Sequence, residues 1–229
     1  MFNIELLKEI LAKYDVHVRE YDNFFLAMTH SSYANEHGIK HNERIEYLGD
    51  AILGLLVAEY IYINFPDMSE GNMSKLRATY VCEEANMKYA KEIGIDKLIL
   101  LGHGEEQMGG RKRPAILSDA FESFLGAIYL DGSIDEVRKV LKVVVYPHVL
   151  AINEVQFIDY KSRLQEYVQA ETRSAIVYRL DNVDGPPHNR VFTISVCVDG
   201  ITLGTGVGKS KKDAAQEAAK SALDKAAIE

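Results

Sequence analysis

His41-Asn42-Glu43-Arg44-Ile45-Glu46-Tyr47-Leu48-Gly49-Asp50 opens a long run that ends at Asn64, just before Phe65-Pro66. Pro66 disfavours helical geometry at Phe65, so the spacing predicts a helix over 42–64. At 100° per residue, Glu43, Glu46 and Asp50 share an arc of about 60°. The residues that follow, Ala51, Ile52, Leu53, Leu55, Leu56 and Val57, are apolar. Acids on such a helix form either a solvated stripe or a group held together for its chemistry, because carboxylates buried together resist ionisation. A second stretch repeats the arrangement. Ser118-Asp119-Ala120-Phe121-Glu122-Ser123-Phe124-Leu125-Gly126 sets Asp119 and Glu122 three apart among Phe121, Phe124, Leu125 and Ile128. Two apolar helices, each with an acidic pair, can bring Glu46, Asp50, Asp119 and Glu122 to one place. Four carboxylates repel unless protonated or bound to cations, and an all-oxygen donor set suits Mg²⁺ or Mn²⁺. Paired oxygen-ligated metals suit phosphoryl chemistry with water as the nucleophile.

Composition narrows the alternatives. The chain has 229 residues, 47% apolar and 26% charged, a globular balance that excludes a disordered tail protein. The longest charge-free run, Asn23 to Asn35, contains Thr29, His30, Ser31 and Ser32 and is too short and polar to span a bilayer. Met1-Phe2-Asn3-Ile4-Glu5 lacks the basic start of a secretory signal, so a cytoplasmic protein with no membrane partner is expected. Cys82 and Cys197 lack CxxC spacing and read as reduced core thiols. No Glu is followed three residues later by His, as a di-iron bundle wants, and there is no Trp for a sugar-stacking glycosidase site. The net charge of −8 lies wholly in residues 1–156, with 16 basic against 24 acidic residues; residues 157–229 carry 10 of each. That sum argues against a nucleic-acid partner unless local clusters override it.

Residues 1–150 read as a helical domain. Ile4, Leu7, Ile10 and Leu11 recur at helical spacing; further helices are expected over Gly71–Glu92, capped by Ser69 or Asn72, and over Ile116–Leu130 and Ile134–Val144. Gly102 to Pro114 reads as a charged, Gly-rich loop, where Arg111-Lys112-Arg113 is either solvated or a contact for an RNA backbone. His30 reads as structural. After a short linker, 151–158, the pattern changes over 159–229: a helix at Asp159–Gln169, strands at Ala175–Leu180, Val191–Val198 and Ile201–Gly208, and a helix from Ser210 with an alanine stripe. Asp199-Gly200 signals a tight hairpin. The fold class is therefore an all-α domain followed by an α-β-β-β-α domain, α + α/β overall. Gly206-Val207-Gly208-Lys209-Ser210-Lys211-Lys212 opens the last helix, and lysines with free N–H groups there make either a phosphate site or a solvated cap. With Gln165 and Glu166 on the first helix and His188 in the Gly185-Pro186-Pro187-His188 loop, the domain offers three separated contacts. A-form RNA asks for such spacing, two minor grooves and the phosphates between them.

The chain resembles bacterial ribonuclease III over nearly its full length. His41–Asp50 is similar to the family's HNERLEFLGD signature, with Ile45 and Tyr47 as conservative departures, and the likeness continues through Glu70–Ala78 and Ile116–Gly126. Residues 159–225 resemble a double-stranded RNA-binding domain, including Gly185–Phe192 and Ser210–Ala214; Tyr160 stands where that family usually has Pro. The resemblance implies an endoribonuclease that hydrolyses double-stranded RNA with metal-activated water, leaving 5′-phosphate and 3′-hydroxyl ends with short 3′ overhangs, in rRNA and mRNA processing. It implies Mg²⁺, with Mn²⁺ as substitute, on Glu46, Asp50, Asp119 and Glu122, with Asp50 and Glu122 nearest the reaction. Glu43 and Glu70 are auxiliary acids in this reading. Gln165, Glu166, His188, Lys209, Ser210, Lys211 and Lys212 bind RNA, and a homodimer places Tyr47 at its seam, although Tyr47 reads equally well as a core aromatic. Two rivals remain: a non-catalytic double-stranded RNA-binding protein whose acidic helices serve only dimerisation, and a metal phosphohydrolase acting on small nucleotides.

Overall fold

The structure, a computed structural model, describes residues 2–151, 160–171, 175–186 and 190–226. Packing divides the chain into two compact units, 1–156 and 157–229. The expected linker, 151–158, lies outside the described residues apart from Ala151.

The first unit is helical. In chain order it has α1 (Ile4–Lys13), α2 (Asp22–Ala27), α3 (Ser31–His37), α4 (Glu43–Asn64), α5 (Glu70–Tyr80), α6 (Glu83–Ile93), α7 (His103–Gln107), α8 (Pro114–Asp131), α9 (Ile134–Val144) and α10 (Tyr146–Leu150). The centre is α8, which is apolar nearly all round: Leu117, Phe121, Phe124, Leu125, Ala127 and Ile128 are fully buried. A helix of that composition must be enclosed. Phe124 meets Phe24 of α2 edge-on at 5.7 Å, and Phe121 packs on Tyr89 of α6 at 5.4 Å. From α4 come Leu53, Leu56, Val57 and Ile61, all buried.

Three expectations change here. The helix expected over Gly71–Glu92 is two helices, broken at Val81-Cys82; Cys82 is extended (φ −79°, ψ 161°) and starts α6. The reason is tertiary: α5 turns toward α4, whereas α6 must lie on α8. Cys82 is exposed at that break rather than in the core, while Cys197 is buried. The loop over 102–114 holds α7 and a 3₁₀ turn at Gly110–Lys112. There Arg111 donates to the carbonyls of Asp96 (2.7 Å) and Ile99 (2.9 Å) and to Glu106, and Arg113 pairs with Glu105 at 2.9 Å. Both arginines thus serve the loop's own fold. His30 is structural: it caps α3, its Nδ1 accepting from the Ser32 N–H at 3.2 Å, and burial lowers its pKa.

The second unit has α11 (Tyr160–Glu171), β1 (Ile176–Asp184), β2 (Val191–Val198), β3 (Ile201–Gly208) and α12 (Lys211–Lys225), with an antiparallel sheet of order β1-β2-β3. Asp199 and Gly200 take φ of 49° and 82°, the two left-handed residues of the hairpin turn. β1 runs past the expected end at Leu180 to Asp184, through a register shift at Leu180/Asn182. Leu164, Val168, Ile194, Val196 and the alanines of α12 form the core. The alanine stripe lies against the glycines of β3: a Cβ on Gly206 would collide with the Ala218 backbone.

Candidate functional site

The acidic pairs meet where α4 crosses α8, and two glycines permit the crossing. A Cβ on Gly49 would overlap the backbone carbonyl of Glu122, and one on Gly126 would come 2.6 Å from the carbonyl oxygen of Ile45. The helices therefore touch backbone to backbone at this level. Glu46 and Asp50 flank Gly49 on one helix; Asp119 and Glu122 precede Gly126 on the other. Three hydrogen bonds from two buried asparagines fix the register from outside. Asn42, just before α4, donates to Ser123 Oγ at 3.3 Å, and Asn86 of α6 donates to Glu122 Oε1 at 2.7 Å and to Ser118 Oγ at 3.2 Å.

The resulting electrostatics are costly. Burial, then the charges of Asp50, Glu46 and Asp119, push Glu122 up to about 8; the Asn86 hydrogen bond opposes them. Burial, then Asp119, Glu43 and Asp50, push Glu46 up to about 7. Asp119 is raised by burial and then by Glu83 and Glu43. Without a counterion the cluster holds protons at neutral pH that ordinary carboxylates would release. Among the described residues no three acidic, histidine or cysteine side chains stand close enough to grip an ion as they are. The donor set fits a divalent cation in chemistry: all oxygen, on two helices fixed at a backbone contact, with a charge excess that a cation would offset.

The remaining acids divide. Glu43 is exposed but lies within the field of Glu46 and Asp119. Glu70 accepts from Ser74 at 2.9 Å and lines a separate cavity of about 350 Å³ between α4 and α5 with Leu55, Ala58, Tyr62 and Met73. Tyr47 is 81% exposed, which removes the core reading; Leu55 (58%), Tyr62 (71%) and Ile63 (66%) continue the apolar surface of α4.

In the second unit Gln165 and Glu166 are exposed on α11. Ser210 caps α12, its Oγ accepting from the Asp213 N–H at 3.1 Å, so that Lys209, Lys211 and Lys212 stand in solvent around a helix start. Such a start attracts phosphate. His188 lies outside the described residues.

Gly49, Gly126 and Asn86 were not singled out by sequence reasoning. A glycine in an apolar helix and an asparagine on an amphipathic one carry no signal until the facing helix is known.

Comparison with known proteins gives a consistent picture. Residues 23–149 match the family described as Ribonuclease-III-like, and residues 160–225 match the double-stranded RNA binding motif. The chain is 46% identical to Ribonuclease 3 of Bacillus velezensis over 228 residues, 97% of this chain and 90% of that one. It is 50% identical to Ribonuclease 3 of Bacillus cytotoxicus over 205 residues, 87% of this chain and 82% of that one. Among solved structures it is similar to the nuclease domain of ribonuclease III from Campylobacter jejuni (35% identity, TM-score 0.59, 67% of this chain and all of that one). It is also similar to Dicer from Pichia stipitis (25% identity, TM-score 0.51, 91% of this chain and 96% of that one).

Proposed function

The chain belongs to the ribonuclease III family, and on that premise we propose that Glu46, Asp50, Asp119 and Glu122 form the site at which this endoribonuclease cuts double-stranded RNA. The observation that carries the assignment is the meeting of two acidic pairs at a glycine-mediated helix crossing, in a chain that also holds a double-stranded RNA binding motif. The enzyme is divalent-metal dependent as a family member; the ion we assign is Mg²⁺, with Mn²⁺ as substitute. When bound, the ion supplies Lewis acidity and an activated water for in-line attack at phosphorus. Asp50 and Glu122 stand nearest the reaction in this reading. Asp119 and Glu46 complete the donor set, and Glu43 bears on it from the α4 N-terminus. Glu70 is an auxiliary acid at the α4–α5 cavity.

RNA is held by the second unit. Lys209, Ser210, Lys211 and Lys212 meet phosphates at the start of α12, and Gln165, Glu166 and His188 meet the minor grooves. A duplex has two antiparallel strands related by twofold axes, so a C2 homodimer offers one acidic site to each. The exposed Tyr47 ring and the apolar cavity beside Leu55 and Tyr62 suit such a seam, with each tyrosine entering the other copy. Sites spanning the minor groove leave 5′-phosphates and short 3′ overhangs. The location is cytoplasmic and the substrates are rRNA and mRNA precursors; among the described residues no helix is long and apolar enough to cross a membrane.

The test is labelled double-stranded RNA with Mg²⁺ or with EDTA, using the wild type and Glu122→Gln. Removing one site carboxylate should lower kcat by about a thousandfold or more, since metal catalysis contributes several kcal/mol. Binding through the second unit should persist. Near-normal cleavage by Glu122→Gln in low Mg²⁺ would reject the site.

A further inference from the structure

Asn86 is fully buried, and it sits on α6, a helix that carries none of the four carboxylates assigned above. Its Nδ2 donates to Glu122 Oε1 at 2.7 Å and to Ser118 Oγ at 3.2 Å, with the Val81 carbonyl as a longer third acceptor at 3.5 Å. In the cation-loaded state Glu122 is ionised and only accepts, and that state sets the orientation of the amide. The other end of the amide is the anomaly. Asn86 Oδ1 is buried and has no hydrogen-bond partner. A carbonyl oxygen left so is costly, and a leucine in its place would fill the space without that cost. The residue therefore does something that packing alone does not require.

We propose that Asn86 is a positioning residue for the divalent cation: Nδ2 holds the Glu122 carboxylate in its ligating place, and Oδ1 is the acceptor for a water that the cation brings. This rests on the assignment of Glu122 as a ligand. The logic is that of outer-sphere partners in metal sites generally, which orient a ligand that would otherwise swing away from like charges. At this crossing the repulsion is strong, since Asp50, Glu46 and Asp119 all act on Glu122. Asn86 is the one neutral donor seen on that carboxylate among the described residues.

The experiment is a Mn²⁺ titration of the full chain, followed by electron paramagnetic resonance, on wild type, Asn86→Leu, Ser118→Ala and Glu122→Gln. Asn86→Leu should bind Mn²⁺ about 10–100-fold more weakly, the usual cost of losing an outer-sphere partner. Its cleavage should need correspondingly more Mg²⁺ while the KM for RNA stays unchanged. Ser118→Ala removes one of the other contacts of Asn86, that to the Val81 carbonyl remaining, but leaves Glu122 held, and should bind close to wild type. Should the leucine unfold the chain, Asn86→Ala is read in the same way. If Glu122→Gln loses Mn²⁺ but both Asn86 variants bind as wild type, the proposal is overturned and the metal site stands. Equal weakening by Ser118→Ala would make Asn86 a mere staple between α6 and α8. If Glu122→Gln binds like wild type, the ligand assignment itself fails and takes the proposal with it.

Discussion

Glu46, Asp119 and Glu122 stand half-buried among leucines and phenylalanines, whereas Lys209, Lys211 and Lys212 stand in solvent at the head of α12. Both regions gather like charge, but they do it at different cost. The lysines keep their hydration and their ordinary mobility, and their repulsion is screened by salt. The carboxylates give up water and are forced together by a backbone contact, so that Glu122 is pushed up to about 8 and Glu46 to about 7. A site built by burial depends on fixed geometry, while a site built on exposed charge depends on number and salt. Perturbations should therefore separate the two units cleanly.

Carboxylate substitutions aside, the largest effect should come from the crossing itself. Gly49→Ala places a methyl on the Glu122 carbonyl, so α4 must move away from α8. Overpacking of this kind costs about 1–3 kcal/mol, and a displacement near 1 Å costs a catalytic site about 100-fold. Cleavage should fall by that factor or more with RNA affinity retained. The matching change in the second unit, Gly206→Ala, should do the reverse: weaker RNA binding, with cleavage kept at low salt and high Mg²⁺. Normal kcat in Gly49→Ala would show that the contact does not set the site.

Tyr47→Ala comes next. It removes an aromatic ring with 81% of its surface exposed and should shift sedimentation from dimer toward monomer at micromolar concentration, with Tm falling only by the association that is lost. An unchanged sedimentation coefficient would exclude Tyr47 from the seam. A smaller effect is expected from Lys211→Ala with Lys212→Ala. Two phosphate contacts are lost, so the slope of log K against log salt should become shallower by roughly 1–2 units. The same slope as wild type would mark these lysines as a solvated cap.

The last effect is on stability against pH and leaves the chemistry untouched. Glu122 and Glu46 bind protons more tightly in the folded chain than in the unfolded one. Folding therefore loses stability as pH rises from the unfolded carboxylate range, near 4.5, to about 8. In EDTA the Tm of the first unit should drop across that window, and the second unit, whose Asp181 is lowered by Ser195 and Arg179, should not follow. Saturating Mg²⁺ should offset the drop, by about 2.7 kcal/mol at a hundred times its Kd. A flat apo profile would mean the carboxylates are better hydrated than their surroundings indicate.

Much of this was legible in the chain. The two acidic pairs, the stop at Phe65-Pro66, the Asp199-Gly200 hairpin and the Ser210 cap each depend on residues near one another in sequence, and local sterics decide them. What was not legible depends on contacts made at a distance. The break at Val81-Cys82 carries no Gly or Pro, and only the diverging partners of α5 and α6 impose it. Arg111 reads as a loop cation until its two carbonyl partners are seen. Gly49 and Asn86 are silent for the same reason.

The crossing also sets when in the life of the chain the carboxylates come together. The bond from Asn42 to Ser123 joins residues 81 positions apart, and the Gly49 contact is of similar span. Such contacts form late, after nearer ones have closed. A growing chain folds from its N-terminus as it is made, so a polypeptide that ends before α8 holds one acidic pair and no facing helix. On the site proposed above, the chain has no active centre until α8 has been made and the second glycine meets the first.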